Sequence, residues 1–191
     1  MAYLTEDALQ AMRFASLGLN VRISDRASIY GPGQMRLGDN CRIDDFCVVS
    51  GKLQLGRNVH FVPFCLIAGG TPGIVFEDYV GLAYRVSVFA QSDDYSGATM
   101  TNPTVPLKYK QEVFMPVRLG RHVIIGTGAI ICPGVELGDG SAVGAGSLVI
   151  RSWPPWSILA GSPARKIKDR RRELLELEAA YLADEAEDSA R

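Results

Sequence analysis

The sequence has few of the residues on which several common functions depend. It has only two histidines, His60 and His122, and its four cysteines include no pair at zinc-site spacing. Charges nearly cancel, at a net −1, which argues against a protein built to coat nucleic acid. No apolar run approaches membrane length, and the acidic start does not fit a signal peptide. We therefore expect a cytoplasmic protein without a metal, nucleic-acid or membrane partner.

The most informative feature is a repeat of six residues. In one block an aliphatic residue occupies every sixth position, at Leu119, Ile125, Ile131, Leu137, Val143 and Val149. The same phase occurs upstream at Leu37, Ile43, Val49, Leu55, Phe61 and Ile67. Each unit reads as one short strand and one Gly-rich corner, and three units around a triangle bury their inner side chains together. The repeat predicts an all-β fold, a parallel β-helix of hexapeptide repeats.

The side chains two positions before these aliphatic residues also fit a coil interior. Several are small, as expected for a cramped position beside a corner: Cys41, Cys47, Cys65, Ala129, Ser141 and Ser147. We interpret the cysteines at these positions as buried small hydrophobes, while Cys132 falls in a corner. Both histidines fall near corners of the repeat, where a solvated or locally hydrogen-bonded role is the simplest interpretation.

The repeat divides the chain into three parts. Residues 1–20 are expected to form a helical cap, in which Thr5 caps a short helix and Leu9 faces the first coil. Residues 21–150 form the β-helix. Residues 151–191 leave the repeat and end in a helix that opens at Arg170, Arg171 and Arg172 and carries Leu174, Leu177 and Tyr181 on one side.

One long interruption breaks the β-helix. Residues 91–116 have no six-residue phase and contain three prolines and many polar groups. A long irregular excursion from a regular scaffold is usually functional. We therefore expect this loop to contribute to a functional site.

The repeat is followed by AGSPAR, from Ala160 to Arg165, and this combination resembles the hexapeptide-repeat, left-handed β-helix acyltransferases that use acetyl-CoA. The stretches RIDDFCVVSG, SDDYSGATMTNPTVPLKYK and PWSILAGSPARKIKDRRRELLELE are similar to the nucleotide-sugar acyltransferases of O-antigen and surface-glycan synthesis. Those enzymes acylate the amine of dTDP-4-amino-4,6-dideoxyglucose or a relative such as dTDP-anthrose. The resemblance implies a left-handed coil and a homotrimer, with acetyl-CoA between neighbouring subunits and the long loop over the site.

The resemblance also implies which residues bind CoA. The corner residues Thr127 and Ala145, one coil apart, would offer backbone groups to the pantetheine arm, and corner packing is their alternative explanation. By the same resemblance, Ile150 and Arg151 would lie further along the arm, and Arg165 and Lys168 would meet the phosphates. Cations suit phosphates, and we favour a phosphate-binding role for the whole basic segment, which also includes Lys166, Arg170, Arg171 and Arg172.

The chain departs from the broad superfamily at the catalytic position. Most of these enzymes place a histidine in or near the excursion, whereas this chain has Ser92, Asp93, Asp94 and Tyr95 there. A sugar hydroxyl needs a base with a pKa near neutrality, but an amine attacks through its own lone pair. We therefore predict N-acylation, with Asp94 orienting the amine or accepting a proton and Asp93 as the second candidate. A turn or a cap is the alternative explanation of paired acids in a loop.

Candidates for binding the acceptor follow from location alone: Tyr84, Arg85, Asn102, Lys108, Tyr109 and Lys110. Similar sequences tend to have a serine where this chain has Tyr84. Three other functions fit the sequence less well. A sugar O-acetyltransferase is disfavoured by the missing loop histidine, a γ-type carbonic anhydrase needs three histidines, and a non-enzymatic scaffold needs neither the basic tail nor the acidic loop.

Overall fold

The computed structural model describes residues 2–189, with side chains up to residue 187. Its main body is a parallel β-helix with three faces. The first face contains β1 (Ser16–Leu17), β4 (Met35–Leu37), β7 (Leu53–Leu55), β10 (Ile74–Phe76), β15 (Val117–Leu119) and β18 (Glu136–Leu137). The second contains β2 (Arg22–Ile23), β5 (Arg42–Ile43), β8 (His60–Phe61), β11 (Gly81–Leu82), β16 (Ile124–Ile125), β19 (Ala142–Val143), β21 (Ser157–Gly161) and β22 (Ala164–Asp169).

The third face contains β3 (Ser28–Tyr30), β6 (Val48–Ser50), β9 (Leu66–Ala68), β12 (Ser87–Phe89), β17 (Ile130–Ile131) and β20 (Leu148–Val149). The excursion forms a separate antiparallel pair, β13 (Gln91–Asp93) with β14 (Glu112–Phe114), and 3₁₀ turns lie at Pro32–Gln34 and Leu107–Tyr109. The α-helices are α1 (Glu6–Ala11) and α2 (Leu174–Ser189). The predicted parallel β-helix is confirmed.

The core is the column of inward side chains that the six-residue phase predicts. Ile125, Ile131 and Phe61 have no exposed surface, and the Phe61 and Phe76 rings pack with centroids 4.9 Å apart. The small residues beside the corners are buried as expected: Cys41, Cys47, Cys65, Ala129, Ser141 and Ser147. Burial is the main cause that raises the pKa of the Cys41 thiol to about 11, so this cysteine behaves as an inert core residue.

The first coil begins earlier than predicted. β1 pairs in parallel with β4, placing Leu17 opposite Leu37, so residues 16 and 17 belong to the β-helix rather than to the cap. Leu17 stands six residues before Ile23 and therefore fits the phase. The cap itself is as expected, because the Thr5 hydroxyl accepts a hydrogen bond from the Ala8 N–H and Leu9 is buried at the open end.

The sequence predicts that the chain leaves the coil after Val149, but the structure shows that the coil continues. β21 pairs in parallel with β19 and adds one more strand to the second face, and β22 then folds back antiparallel to it. The helix α2 begins at Leu174 and not at the arginines. Arg170 instead donates to the main-chain oxygens of His122 (2.8 Å) and Gly140 (3.1 Å), so the structure gives it a scaffold role in place of phosphate binding.

Helix α2 docks against the β-helix mainly through polar side chains. The Glu178 carboxylate, 9% exposed, accepts from Arg121 and from His122 Nε2, the latter at 2.9 Å. One turn further along α2, Tyr181 contacts the Tyr79 ring edge-on. One more turn along, Glu185 forms an ion pair with Arg57 of the β-helix. Leu177 was expected on the packed side but is 72% exposed. No helix among residues 2–189 is long and apolar enough to cross a membrane.

Docking of α2 is expected to depend on pH. Burial opposes ionisation of Glu178, but hydrogen bonds and charge from His122 and Arg121 outweigh it and hold the Glu178 pKa below its usual value. A lowered folded-state pKa contributes stability at neutral pH that is lost as the pH falls through it. Glu178→Gln should therefore lower the free energy of unfolding by about 2 kcal/mol at pH 7, and by much less at the acidic end. Urea denaturation at a series of pH values measures this difference.

Glu176→Gln is the matched control, because Glu176 lies on the same helix, is exposed and forms no ion pair among the described residues. Its effect should be small and independent of pH. An equal loss of stability from Glu178→Gln at neutral and acidic pH would contradict the predicted role of this carboxylate.

Candidate active site

The corner between the second and third faces, here called the second corner, carries two of the predicted CoA residues. The parallel register places Tyr84, Thr127 and Ala145 at the same position of three successive coils. The Gly146 N–H donates to the Thr127 carbonyl and the Gly128 N–H to the Tyr84 carbonyl, both at 2.8 Å. Among the described residues the Thr127 and Ala145 N–H groups donate to no protein acceptor. They are available to an extended amide chain lying along the corner.

Basic side chains follow at the upper end of the second corner. β21 carries the corner one coil beyond Ala145, and the Gly161 N–H donates to Ser147 Oγ at 3.2 Å. Arg165 and Lys168 lie on β22 with exposed side chains. Lys166 forms an ion pair with Asp169 (2.6 Å), which lowers the pKa of that aspartate. Of these three cations, Arg165 and Lys168 are the ones without an ion-pair partner in the described chain.

The other two predicted CoA residues lie elsewhere within one chain. Ile150 and Arg151 follow β20 at the corner between the third and first faces, so the width of the third face separates them from Thr127 and Ala145. The Arg151 guanidinium stacks over the Trp153 ring at 4.5 Å. The structure therefore brings Arg165, which lies opposite Ala160, to the same corner as Thr127 and Ala145. Lys168 lies opposite Ile158 at the far edge of the second face, and Ile150 and Arg151 lie across the third face.

The excursion leaves the third face directly after β12, and hydrogen bonds fix its two acids. Asp94 Oδ1 accepts from the Ser96 N–H (2.8 Å), and Oδ2 accepts from the Ser96 hydroxyl (2.8 Å) and the Thr99 hydroxyl (3.3 Å). These bonds, the Ser96 N–H first, hold the Asp94 pKa below its usual value. Asp93 Oδ2 accepts from the Asn102 N–H at 3.4 Å. Asp94 is thus an ionised turn-former, better suited to attract or orient a donor group than to act as a strong base.

The residues predicted to bind the acceptor sugar differ in their exposure and in how many contacts they already make within the chain. Tyr84 is 55% exposed and Tyr109 is 52% exposed, with the Lys108 ammonium 4.8 Å from the Tyr109 ring centroid. The Asn102 side chain accepts from the N–H and hydroxyl of Thr104, both at 3.0 Å. The Lys110 side chain is only 3% exposed and pairs with Glu112 at 3.4 Å. Lys110 therefore orders the loop within one chain and offers little surface to a ligand.

An aromatic stack lies below Tyr84, and the six-residue pattern does not predict it. The Phe46 and Phe64 rings are stacked at 5.1 Å, and the Arg85 guanidinium lies 5.9 Å from the Phe64 centroid. Both phenylalanines have positive φ, an unusual conformation for a bulky residue, and about half of each is exposed. The available signal was a phenylalanine directly before an inward cysteine, at Cys47 and Cys65, in successive coils.

The two histidines are engaged in local bonds. His60 Nε2 lies 2.9 Å from an Asp44 carboxylate oxygen, and His122 pairs with Glu178 at the base of α2. Both side chains belong to the β-helix body and neither is in the excursion. The chemistry of the loop must therefore be explained with carboxylates, hydroxyls and amines.

A three-faced coil of six-residue units, with an open corner that ends in exposed cations, defines the class as hexapeptide-repeat transferases. The family model described as bacterial transferase hexapeptide (six repeats) matches residues 116–151. A dTDP-4-amino-4,6-dideoxy-D-glucose acyltransferase of Escherichia coli is 41% identical over 183 residues, which is 95% of each chain.

Two solved structures of AntD, an N-acyltransferase from Bacillus cereus, are also similar. The complex with dTDP and 3-hydroxybutyryl-CoA is 42% identical with a TM-score of 0.94, covering 96% of this chain and 98% of AntD. A mutant in complex with dTDP-4-amino-4,6-dideoxyglucose and coenzyme A is 43% identical with a TM-score of 0.94 and the same coverage. The chain belongs to this family of hexapeptide-repeat nucleotide-sugar acyltransferases.

The order of the excursion should depend on the hydrogen bonds of Asp94 more than on its charge. Asparagine keeps an oxygen that can accept from the Ser96 N–H, whereas alanine removes every acceptor. We expect Asp94→Ala to increase amide hydrogen exchange across residues 91–116 several-fold, and Asp94→Asn to increase it much less. Equal increases in the two variants would show that the turn does not depend on this side chain's hydrogen bonds.

Proposed function

We propose that the protein transfers an acyl group from an acyl-CoA to the amine of a nucleotide-linked amino-deoxy sugar. The acceptor that fits best is dTDP-4-amino-4,6-dideoxyglucose, the sugar nucleotide found in complexes of the solved relative. The observation that carries the proposal is an excursion with two ordered acids and no histidine, attached to a coil whose corner suits an extended CoA arm. Synthesis of O-antigen or another surface polysaccharide is the proposed pathway.

The donor is proposed to lie along the second corner. Arg165 and Lys168 supply cations for its phosphates at the upper end. The pantetheine amides then meet the unpaired N–H groups of Thr127 and Ala145 on the way down. The proposed homotrimer would bring Ile150 and Arg151 of one subunit to the groove beside the corner of another. The homotrimer and the cytoplasmic location stay predictions from the sequence.

The proposed reaction needs few protein groups. The neutral sugar amine attacks the thioester carbonyl, a C–N bond forms, and collapse of the tetrahedral adduct breaks the C–S bond. Asp94 accepts a hydrogen bond from the amine and, as an ionised group, stabilises the positive charge that develops on nitrogen. The ammonium proton then passes to Asp94 or to the departing thiolate, which leaves as free CoA. Asp93 is the second candidate for this contact.

The amine dependence of turnover tests the proposal directly. Free CoA released from acetyl-CoA is measured with dTDP-4-amino-4,6-dideoxyglucose and with its 4-hydroxy counterpart. We expect turnover with the amine alone, because the lowered pKa of Asp94 makes it a poor base for a hydroxyl group. Asp94→Asn should lower kcat/KM by about ten- to a thousand-fold. Turnover with the hydroxyl compound would instead support a sugar O-acetyltransferase.

Binding of CoA tests the basic end of the corner separately. Arg165→Ala or Lys168→Ala should each weaken CoA binding about ten- to a hundred-fold, since hydrogen bonds to charged groups contribute about 1.5–3 kcal/mol. Lys166→Ala is the matched control, because Lys166 already pairs with Asp169. Titration calorimetry with CoA and with pantetheine gives the comparison. Equal losses for both ligands would contradict a phosphate contact.

A further inference from the structure

The second corner changes shape abruptly at Tyr84. In its two upper coils the corner consists of Ala145 with Gly146 and of Thr127 with Gly128, and a Cβ placed on either glycine would meet no atom within 4 Å. One coil below, the same two positions hold Tyr84 and Arg85. The upper corner is therefore open and lined by small residues, and it ends on a ledge made by two large side chains.

If acyl-CoA binds along the second corner, as the proposed function requires, two features place its reactive end at this ledge. The exposed cation Arg165, which lies opposite Ala160, marks the phosphate end of the corner. Ala160 packs against Gly144, and at about 4.8 Å per coil it lies about 14 Å above Tyr84. The excursion with Asp94 leaves the coil that contains Tyr84. The thioester must therefore come to the height of Tyr84 to meet the acceptor.

The phenol of Tyr84 is the part of the ledge that is free to meet the acyl group. The Arg85 guanidinium lies 5.9 Å from the centroid of the Phe64 ring, one coil below. The Tyr84 side chain is 55% exposed and its hydroxyl makes no hydrogen bond within residues 2–189. A large, half-exposed side chain thus occupies the corner position one coil below the small residues of the upper corner.

We propose that Tyr84 determines the length of the acyl group, filling the space that a chain longer than acetyl would need. The acyl carbons extend beyond the thioester, in the direction in which the groove meets the ring. One methylene in such a pocket changes discrimination by about 10- to 200-fold. The protein is accordingly an acetyl transferase that discriminates against four-carbon acyl groups.

The test compares acetyl-CoA, butyryl-CoA and 3-hydroxybutyryl-CoA with one amine acceptor, using full-length protein. Tyr84→Ala should raise the ratio of kcat/KM for butyryl-CoA to that for acetyl-CoA at least tenfold, and Tyr84→Ser should do the same as a second small variant. Tyr84→Phe keeps the ring and should keep the wild-type length preference. Tyr30→Ala removes an exposed tyrosine at the far end of the third face and should leave the preference unchanged.

An unchanged length ratio in both small variants would overturn the proposal. The proposal would also fail if Tyr84→Phe lost turnover with every thioester while no variant changed the ratio of kcat/KM for butyryl-CoA to that for acetyl-CoA. The Tyr84 hydroxyl group would then act in the reaction itself. Calorimetric binding of acetyl-CoA and butyryl-CoA, without an acceptor, separates this from the proposed function. If wild type binds acetyl-CoA more tightly than butyryl-CoA, Tyr84→Ala loses this preference and no turnover is seen, only the proposed acceptor is rejected. If wild type and Tyr84→Ala each bind the two thioesters equally well, the proposed role of Tyr84 is rejected.

Discussion

The structure depends on the burial of one side-chain column at a fixed interval of six residues. Each coil closes because three inward residues meet at its axis, and successive coils stack because their strands pair in parallel. A slip of one residue would turn every aliphatic side chain outward, so the register is strongly specified. It survives the excursion, because Val88 before the loop pairs with Ile131 in the coil that follows it. The corners therefore stay aligned whatever the loop contains.

This alignment explains why much of the fold and part of the site could be predicted. Once the phase is known, residues one coil apart must be neighbours, and Thr127 and Ala145 follow as a pair on one corner. The phase did not identify β21, because Pro154 and Pro155 interrupt the spacing before the coil resumes. The docking of α2 could not be predicted from a local sequence pattern, because it depends on contacts of Glu178 with Arg121 and His122, which are distant in sequence. The hand of the coil follows from no residue spacing and is implied by the resemblance alone.

The loop was less predictable than the coil because its order comes from side-chain hydrogen bonds. The sequence contains the turn signal, an aspartate two residues before a serine, but not how completely Asp94 is used by Ser96 and Thr99. The burial of the Lys110 side chain against Glu112 could not be foreseen either, since it follows from the pairing of residues near the ends of the excursion. The turn explanation and the functional explanation of Asp94 are compatible, because a fixed carboxylate is also a preorganised one.

The reactions that this site can catalyse are restricted, because the corner of the coil has no titratable side chain in its upper part and the acids come from the excursion. The upper corner offers backbone groups and small side chains, and none of Thr127, Gly128, Ala145 or Gly146 has a side chain that titrates near neutral pH. A titratable group must then come from the excursion, whose acids are Asp93, Asp94 and Glu112. Glu112 is held by Lys110, and hydrogen bonds lower the pKa of Asp94. A nucleophile that needs strong deprotonation would therefore find no suitable base in Glu112 or Asp94. An amine brings its own lone pair, and it therefore matches a scaffold that can position and stabilise but has little basicity to offer.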